Sequence, residues 1–259
     1  MSTVALAMRD SSTMIRRQLK RLVRYPSMTV QLVVTPVIVL LLFVYVLGGT
    51  LGAGIGGGRD AYVDYVVPGI LLMAASTAAT GTAVMVATDM TEGIIARFRT
   101  MRIWRASVLT GHVVGSVVQQ LLGMAVLIGI ALAIGFRPNA TVVEWLAAAG
   151  TLTFFAVAIT WLSVALGLKS STPEAASNAP MPLILLPFLG SGFVPTDSMP
   201  TVLRWFADYQ PFTPIMETVR GLLLGSSIGN SAAIALAWCA GITVLSYLWA
   251  KRTFNKATP

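Results

Sequence analysis

The sequence predicts an all-α integral membrane protein with six transmembrane helices and an amphipathic interfacial helix ahead of the first. Three observations carry this. Of 259 residues, 56% are hydrophobic and only 11% charged, whereas an ordinary soluble domain carries about 25% charged residues. So few charges cannot cover a globule of this size in water, and a mean hydropathy of +0.78 agrees. Six apolar runs reach or approach the roughly 20 residues that a spanning helix needs. Finally, the lysines and arginines sort to one side of those runs. Soluble globular, disordered and disulfide-scaffold classes are excluded.

Residues 11–25 come first. On a helix, Ile15, Leu19, Leu22 and Val23 share one face, while Arg16, Arg17, Lys20, Arg21 and Arg24 take the opposite one. A basic amphipathic helix ending at Pro26 lies in the headgroup plane. A plain topogenic cluster of positive charge is the other reading, and the segregation of faces favours the helix. The expected spans are residues 28–48, 65–87, 108–135, 145–168, 178–193 and 231–250, of which the fifth is short and rich in proline. The first apolar run starts too far in, and is too long, for a cleaved signal peptide.

Six spans put both termini on one side, with the loops at 97–105 and Lys169. That side holds fourteen basic and four acidic residues, the other four and six, so the net charges are +10 and −2. Both termini and these loops are therefore expected in the cytoplasm, with the chain in the cell membrane. The overall +8 is accounted for by this asymmetry, and no nucleic-acid partner is expected.

Several patterns have ordinary readings. Gly52-Ala-Gly54-Ile-Gly56-Gly57 satisfies GxGxxG but follows a membrane span rather than a strand, so it reads as a flexible outer loop. No GxxxxGK[ST] phosphate loop occurs, so the chain has no visible means of holding ATP. The single cysteine, Cys239, has no disulfide partner in the chain and reads as a packing residue, and no cysteine–histidine cluster marks a metal site. Ser107, Gly111 and Gly115 recur every four residues, a spacing that lets helices approach closely. His112, the only histidine, reads as solvated at the interface. The span centres carry no ionisable side chains, which disfavours a proton- or sodium-coupled carrier. Hydroxyls at Ser76, Thr77, Thr80 and Thr82 either line a conduit or bond helix carbonyls and neighbouring helices.

Two segments carry more information. The loop from Asp89 to Arg105, read as a short helix, puts Ile94, Ile95, Phe98 and Met101 on one face, with Arg97, Arg99 and Arg102 mainly elsewhere. Such a helix lies on the membrane or seats its apolar face in a partner's groove. On the outer side, Pro195, Pro200, Pro211 and Pro214 break residues 193–221 into two short helical pieces. Irregular backbone at membrane depth must be sheltered by protein or line a water-filled cavity. Glu217 and Arg220, at i and i+3, are placed to pair.

These residues resemble the ABC-2 type transporter permeases. The likeness covers nearly the whole chain and rests on the entry helix, the six spans and Glu92-Gly93-x-x-x-Arg97-Phe98-Arg99. It also rests on Phe193-Val-Pro195-x-x-x-Met199-Pro200 and Gln210-Pro211-x-Thr213-Pro214-x-x-Glu217-x-x-Arg220. The stretch 93–99 is especially similar to the daunorubicin/doxorubicin-exporter branch, whereas Met101-Arg102 stands where relatives often have proline soon after the arginines. The resemblance implies a single transmembrane domain over residues 1–259 that exports a hydrophobic or amphipathic drug, lipid or glycolipid. Two permease copies, expected to be a homodimer, would join two cytoplasmic ABC ATPase subunits in contact with membrane lipid. ATP and magnesium would sit on the ATPase, leaving this chain without cofactor or catalytic residue. Glu92, Gly93, Ile94, Ile95, Arg97, Phe98, Arg99, Met101 and Arg102 would form the coupling helix. Ser76, Thr77, Thr80, Thr82, Pro182, Phe188 and Ser191 would line the path. Pro195, Asp197, Pro200, Pro211, Glu217 and Arg220 would belong to an extracellular re-entrant gate. A permease for a lipid-linked polysaccharide or other polymer, and a non-transporting scaffold, are the alternatives.

Overall fold

A computed structural model describes residues 26–92 and 105–256, and the described chain is all-helical. The expected interfacial helix at 11–25 lies outside the described residues. Helix α1 (Pro26–Leu41) runs through one π-helical stretch, Leu42–Leu47, into α2 (Gly48–Gly54). Long helices follow: α3 (Gly58–Thr91), α4 (Arg105–Ile134) and α5 (Val142–Lys169). Then come four short ones, α6 (Pro173–Asn178), α7 (Met181–Leu185), α8 (Thr201–Tyr209) and α9 (Phe212–Leu224), before α10 (Ser231–Lys256) closes the described chain. Five stretches are long and apolar enough to cross a membrane: Val33–Gly54, Gly58–Thr91, Leu109–Ile134, Val142–Lys169 and Ser231–Asn255.

Burial separates centre from rim. The most apolar windows of α3 and α5 are 67% and 61% buried, against 17% in α10 and 22% in the first span. Exposed Val34, Ile38 and Val46, and likewise Leu236, Val244 and Leu245, form outward apolar faces suited to lipid. Apolar surface gives no net drive between helices in a bilayer, so close packing and buried hydrogen bonds hold the centre together. Gln120 on α4 donates to the Thr160 hydroxyl on α5 at 2.8 Å, and the Thr82 and Ser116 hydroxyls join α3 to α4. Thr141 and Glu144 form a reciprocal capping box that starts α5.

Three expectations are corrected. The glycine-rich stretch 52–57 is not a loose loop: the helix continues to Gly54 and turns tightly into α3. A Cβ at Gly52 would fall 2.0 Å from the Gly58 carbonyl oxygen, and Gly56 and Gly58 have φ of +84° and +68°, so glycine is what lets the turn close. His112 is not solvated but 3% exposed, with Nε2 3.1 Å from the Asp89 carboxylate. Packing of α3 against α4 buries both partners.

The stretch 178–193 is not one helix. Pro173 starts α6, α7 lasts five residues, and turns carry the chain to Phe193. Pro180, Pro182 and Pro187 each lack the N–H that an uninterrupted helix would use. The broken segment nevertheless runs the length of α3. Ala176 packs with Ala83 and Ala87 near one end, and the Tyr62 hydroxyl donates to the Phe193 carbonyl at 3.2 Å near the other. Twenty-one residues of α3 separate Ala83 from Tyr62, roughly 31 Å at the rise of an α-helix, about the thickness of a bilayer's hydrocarbon core.

Candidate functional site

At the end of the bundle where α3 begins, a clasp joins α3, the broken segment and α9. Its centre is Arg220, which rises from α9 onto Tyr65. The guanidinium Nε and Nη2 donate to the Tyr65 carbonyl at 3.3 and 3.1 Å, and Nη2 also donates to the Ser191 carbonyl at 2.6 Å. Its Cζ lies 3.9 Å from the centroid of the Tyr65 ring. The Tyr65 hydroxyl donates to the same Ser191 carbonyl at 2.9 Å. Gln210 Nε2 donates to the Leu186 carbonyl at 2.9 Å, and the Ser191 N–H to the Thr213 hydroxyl at 3.4 Å. Backbone groups left over by the broken helix thus find partners on two neighbouring elements, as buried irregular backbone requires.

Close backbone approach makes the clasp tight. A Cβ at Gly69 would lie 2.6 Å from the Gly192 carbonyl oxygen and 2.8 Å from Gly192 Cα. Pro68 has no N–H for the Asp64 carbonyl and strains the turn from which the Tyr65 carbonyl emerges. Below the clasp, Phe188 and Phe193 stack in parallel at 4.2 Å, and Phe43 of the π-helical stretch lies 4.5 Å from Phe193. Helix π-bulges often occur where a side chain must be re-aimed for function.

Prolines set the outer segment's joints. Pro195 precedes a 3₁₀ turn at Thr196–Ser198, Pro200 precedes α8, and Pro211 precedes α9. Each occupies the position before the first helical residue. Asp197 pairs with Arg204, which also lies 3.8 Å from Asp208, all on exposed side chains. Helix α8 turns Val202, Trp205 and Tyr209 outward, and they are exposed.

The expected Glu217–Arg220 pair does not form among the described residues. Glu217 instead accepts a hydrogen bond from the Ser231 hydroxyl at 2.8 Å, tying α9 to α10, while Arg220 reaches across to α3 and Ser191. Of the hydroxyls on α3, Ser76, Thr77 and Thr80 donate to the carbonyls of Leu72, Met73 and Ser76 one turn back, and Thr82 meets Ser116. Pro182 is exposed on α7, Phe188 is half-buried in the aromatic stack, and Ser191 is buried in the clasp. The structure therefore brings Phe188, Ser191 and Arg220 together, and leaves Ser76 to Thr82 on a separate stretch of α3. Tyr62, Tyr65 and Phe43 were missed, although two tyrosines three apart at the head of an apolar helix were a readable signal.

At the opposite end, Glu92 closes α3 and is exposed. Gly93, Ile94, Ile95, Arg97, Phe98, Arg99, Met101 and Arg102 lie outside the described residues. At this end of the described bundle Val86 of α3, Leu109 and Val113 of α4, Leu168 of α5 and Phe254 of α10 pack into one apolar cluster. Glu174, exposed at the start of α6, accepts from its own backbone N–H and from the Thr172 hydroxyl, which hold its carboxyl below the ordinary range.

An all-helical described chain with five stretches long and apolar enough to cross a membrane has the build of an integral membrane protein. The ABC-2 type transporter family model matches residues 10–224, and this chain belongs to that family. Its members are the membrane-spanning subunits of ABC transporters, which act with an ATP-binding subunit. The chain is 26% identical over 243 residues to a daunorubicin resistance ABC transporter permease protein of Streptomyces coeruleorubidus, covering 93% of this chain and 84% of that one. It is 24% identical over 187 residues to a probable doxorubicin resistance ABC transporter permease protein of Mycobacterium tuberculosis, covering 72% and 68%. The same match occurs in a second strain of that organism.

Proposed function

We propose that this chain is the permease of an ATP-driven exporter that carries a hydrophobic or amphipathic small molecule or lipid out of the cell. Two copies, joined to two cytoplasmic ATPase subunits, enclose the path between them. The broken segment 173–193 is the fifth of six crossings, because it follows α3 from Ala83 to Tyr62 across a bilayer's depth. Both termini are then cytoplasmic, and residues 195–221 form a re-entrant gate on the outer face. The loop 89–105 contains the coupling helix, residues 92–102, which seats in an ATPase groove and transmits its closure to α3 and α4. Ser76, Thr77, Thr80, Thr82, Pro182, Phe188 and Ser191 border the path, the hydroxyls keeping acceptor lone pairs after donating one turn back.

The observation that carries this reading is α3 itself. One continuous helix of 34 residues holds Tyr65 in the clasp and ends at Thr91, beside the loop assigned to coupling. From Gly69 to Thr91 the helix contains no proline, so a displacement at the Thr91 end is carried along a regular rod as far as Pro68, one turn from Tyr65. Closing of the ATPases would tilt α3, draw the Tyr65 carbonyl and ring from Arg220, and free the hairpin.

The test is transport in proteoliposomes holding the chain with its cognate ATPase, using daunorubicin as the first probe. ATP-dependent, vanadate-sensitive accumulation of daunorubicin or of a labelled amphipathic lipid is expected. Stable assembly with an active ATPase that moves neither would refute export of such substrates.

A further inference from the structure

Midway along α4, two adjacent amides interrupt an apolar helix. Gln120 is 3% exposed; its Nε2 is bonded to Thr160, while its carbonyl oxygen has no partner among the described residues. Gln119 is half-buried beside it. Both line a cleft between α1, α3 and α4, walled by Val33, Pro36, Ala74, Ala78, Gly123 and Leu127. Its usable volume is about 20 Å³, room for the polar tip of a larger molecule or for one water. Beyond the two amides the walls are apolar and suit the carbon body of a larger molecule.

A buried acceptor without a donor is costly in hydrocarbon, and polar groups kept at membrane depth usually serve function. The cleft lies on the side of α3 that meets α1, in a bundle whose rim faces lipid. We propose that this cleft is a ligand subsite in which Gln120 Oε1 accepts a hydrogen bond from a hydroxyl or ammonium group of an amphipath arriving from the bilayer. Gln119 stands as a second amide beside it, and the ligand's apolar body lies over Val33, Pro36 and Gly123. The inference deepens the exporter reading and rests on it for the ligand's being transported; binding itself needs neither ATP nor the ATPase.

The cleft's shape supplies clean variants. A Cβ at Gly123 would meet Val33 Cγ2 at an ordinary 3.6 Å, so a side chain can start there without a clash, and Gly123→Leu is chosen to place its branch in the cleft that Gly123 lines. Gln120→Leu removes the acceptor and keeps the bulk. Thr160→Val removes the partner of Gln120 Nε2 and leaves the carbonyl oxygen in place.

The full chain in nanodiscs, without ATPase, is titrated with daunorubicin by fluorescence anisotropy. Dioleoylglycerol, which carries one hydroxyl, and trioleoylglycerol, which carries none, serve as competitors. Gln120→Leu and Gly123→Leu are expected to weaken daunorubicin about fivefold to tenfold, the effect of one hydrogen bond. Thr160→Val should stay within about twofold. Displacement by dioleoylglycerol but not by trioleoylglycerol identifies a lipid hydroxyl as an occupant; displacement by neither leaves the drug as the ligand. Absence of saturable binding, undiminished binding in Gly123→Leu, or an equal loss in Thr160→Val and Gln120→Leu overturns the proposal. Cleft-dependent binding without ATP-driven transport would refute the exporter reading and leave the subsite standing.

Discussion

Replacing Arg220 by methionine keeps an unbranched stem as far as the position of Nε and removes every donor. The wild-type guanidinium serves two carbonyls, of Tyr65 and Ser191, and lies on the Tyr65 ring. A hydrogen bond to a charged group contributes about 1.5–3 kcal/mol, and a partly desolvated cation–π contact about 0.5–2 kcal/mol. Taking the charge out of water offsets several kcal/mol of this. Ser191 is not stranded in the variant, because its carbonyl keeps the Tyr65 hydroxyl. The expected net loss is about 2 kcal/mol, or a melting point lower by roughly 4–8 °C for a chain of this size. Arg220→Lys should fall between, since one ammonium cannot reach both carbonyls and stack as well. The assays are thermal unfolding in detergent and hydrogen exchange over residues 212–224, where protection should drop. Tyr65→Phe supplies a cycle: it removes only the hydroxyl, and because both donors share Ser191 its effect should be non-additive with Arg220→Met by about 0.5 kcal/mol or more. Unchanged melting and unchanged exchange in Arg220→Met would refute the clasp.

Other expectations follow from single contacts. Gly69→Ala puts a methyl 2.6 Å from the Gly192 carbonyl oxygen and should destabilise by several kcal/mol, whereas Gly129→Ala, facing open space, should be neutral or slightly stabilising in the same melting assay. Phe98→Ala should leave insertion and abundance normal but detach or uncouple the ATPase, at about 2 kcal/mol or more for a lost aromatic anchor; co-purification with transport measures it, and normal retention with normal transport would remove the coupling role. Single cysteines at Thr100 and Thr258 in a Cys239→Ala background should resist impermeant thiol reagents on intact cells, and labelling of either would reverse the expected topology.

Apolarity made the membrane class and the long helices legible in the sequence alone. Five apolar runs proved to lie in long helices, with ends displaced by several residues, because polar and glycine residues continue a helix whose interior is already fixed. Apolarity reports depth, however, and says nothing about continuity. The run 178–193 is apolar enough to lie at membrane depth, yet its prolines deny it an unbroken helix. Spacing likewise finds neighbours on one helix and misses distant ones. Glu217 and Arg220 looked like a pair at i and i+3, while the carbonyl that Arg220 reaches on Tyr65 lies 155 residues away in sequence. The Asp89–His112 contact was hidden for the same reason.

The contact between α3 and α5 gives the long helix a place to turn. A Cβ at Gly167 would lie 2.5 Å from the Ala83 carbonyl oxygen, so here the two backbones touch with no side chain between them. That point stands eight residues from Thr91 and eighteen from Tyr65, arms of about 12 Å and 27 Å at the rise of an α-helix. A rod pivoting there is a lever with a gain of about two. A nudge of about 1 Å at the short arm becomes roughly 2 Å at the long one. Added along the bond, that carries the Arg220–Tyr65 hydrogen bonds, now 3.1 and 3.3 Å, out of range.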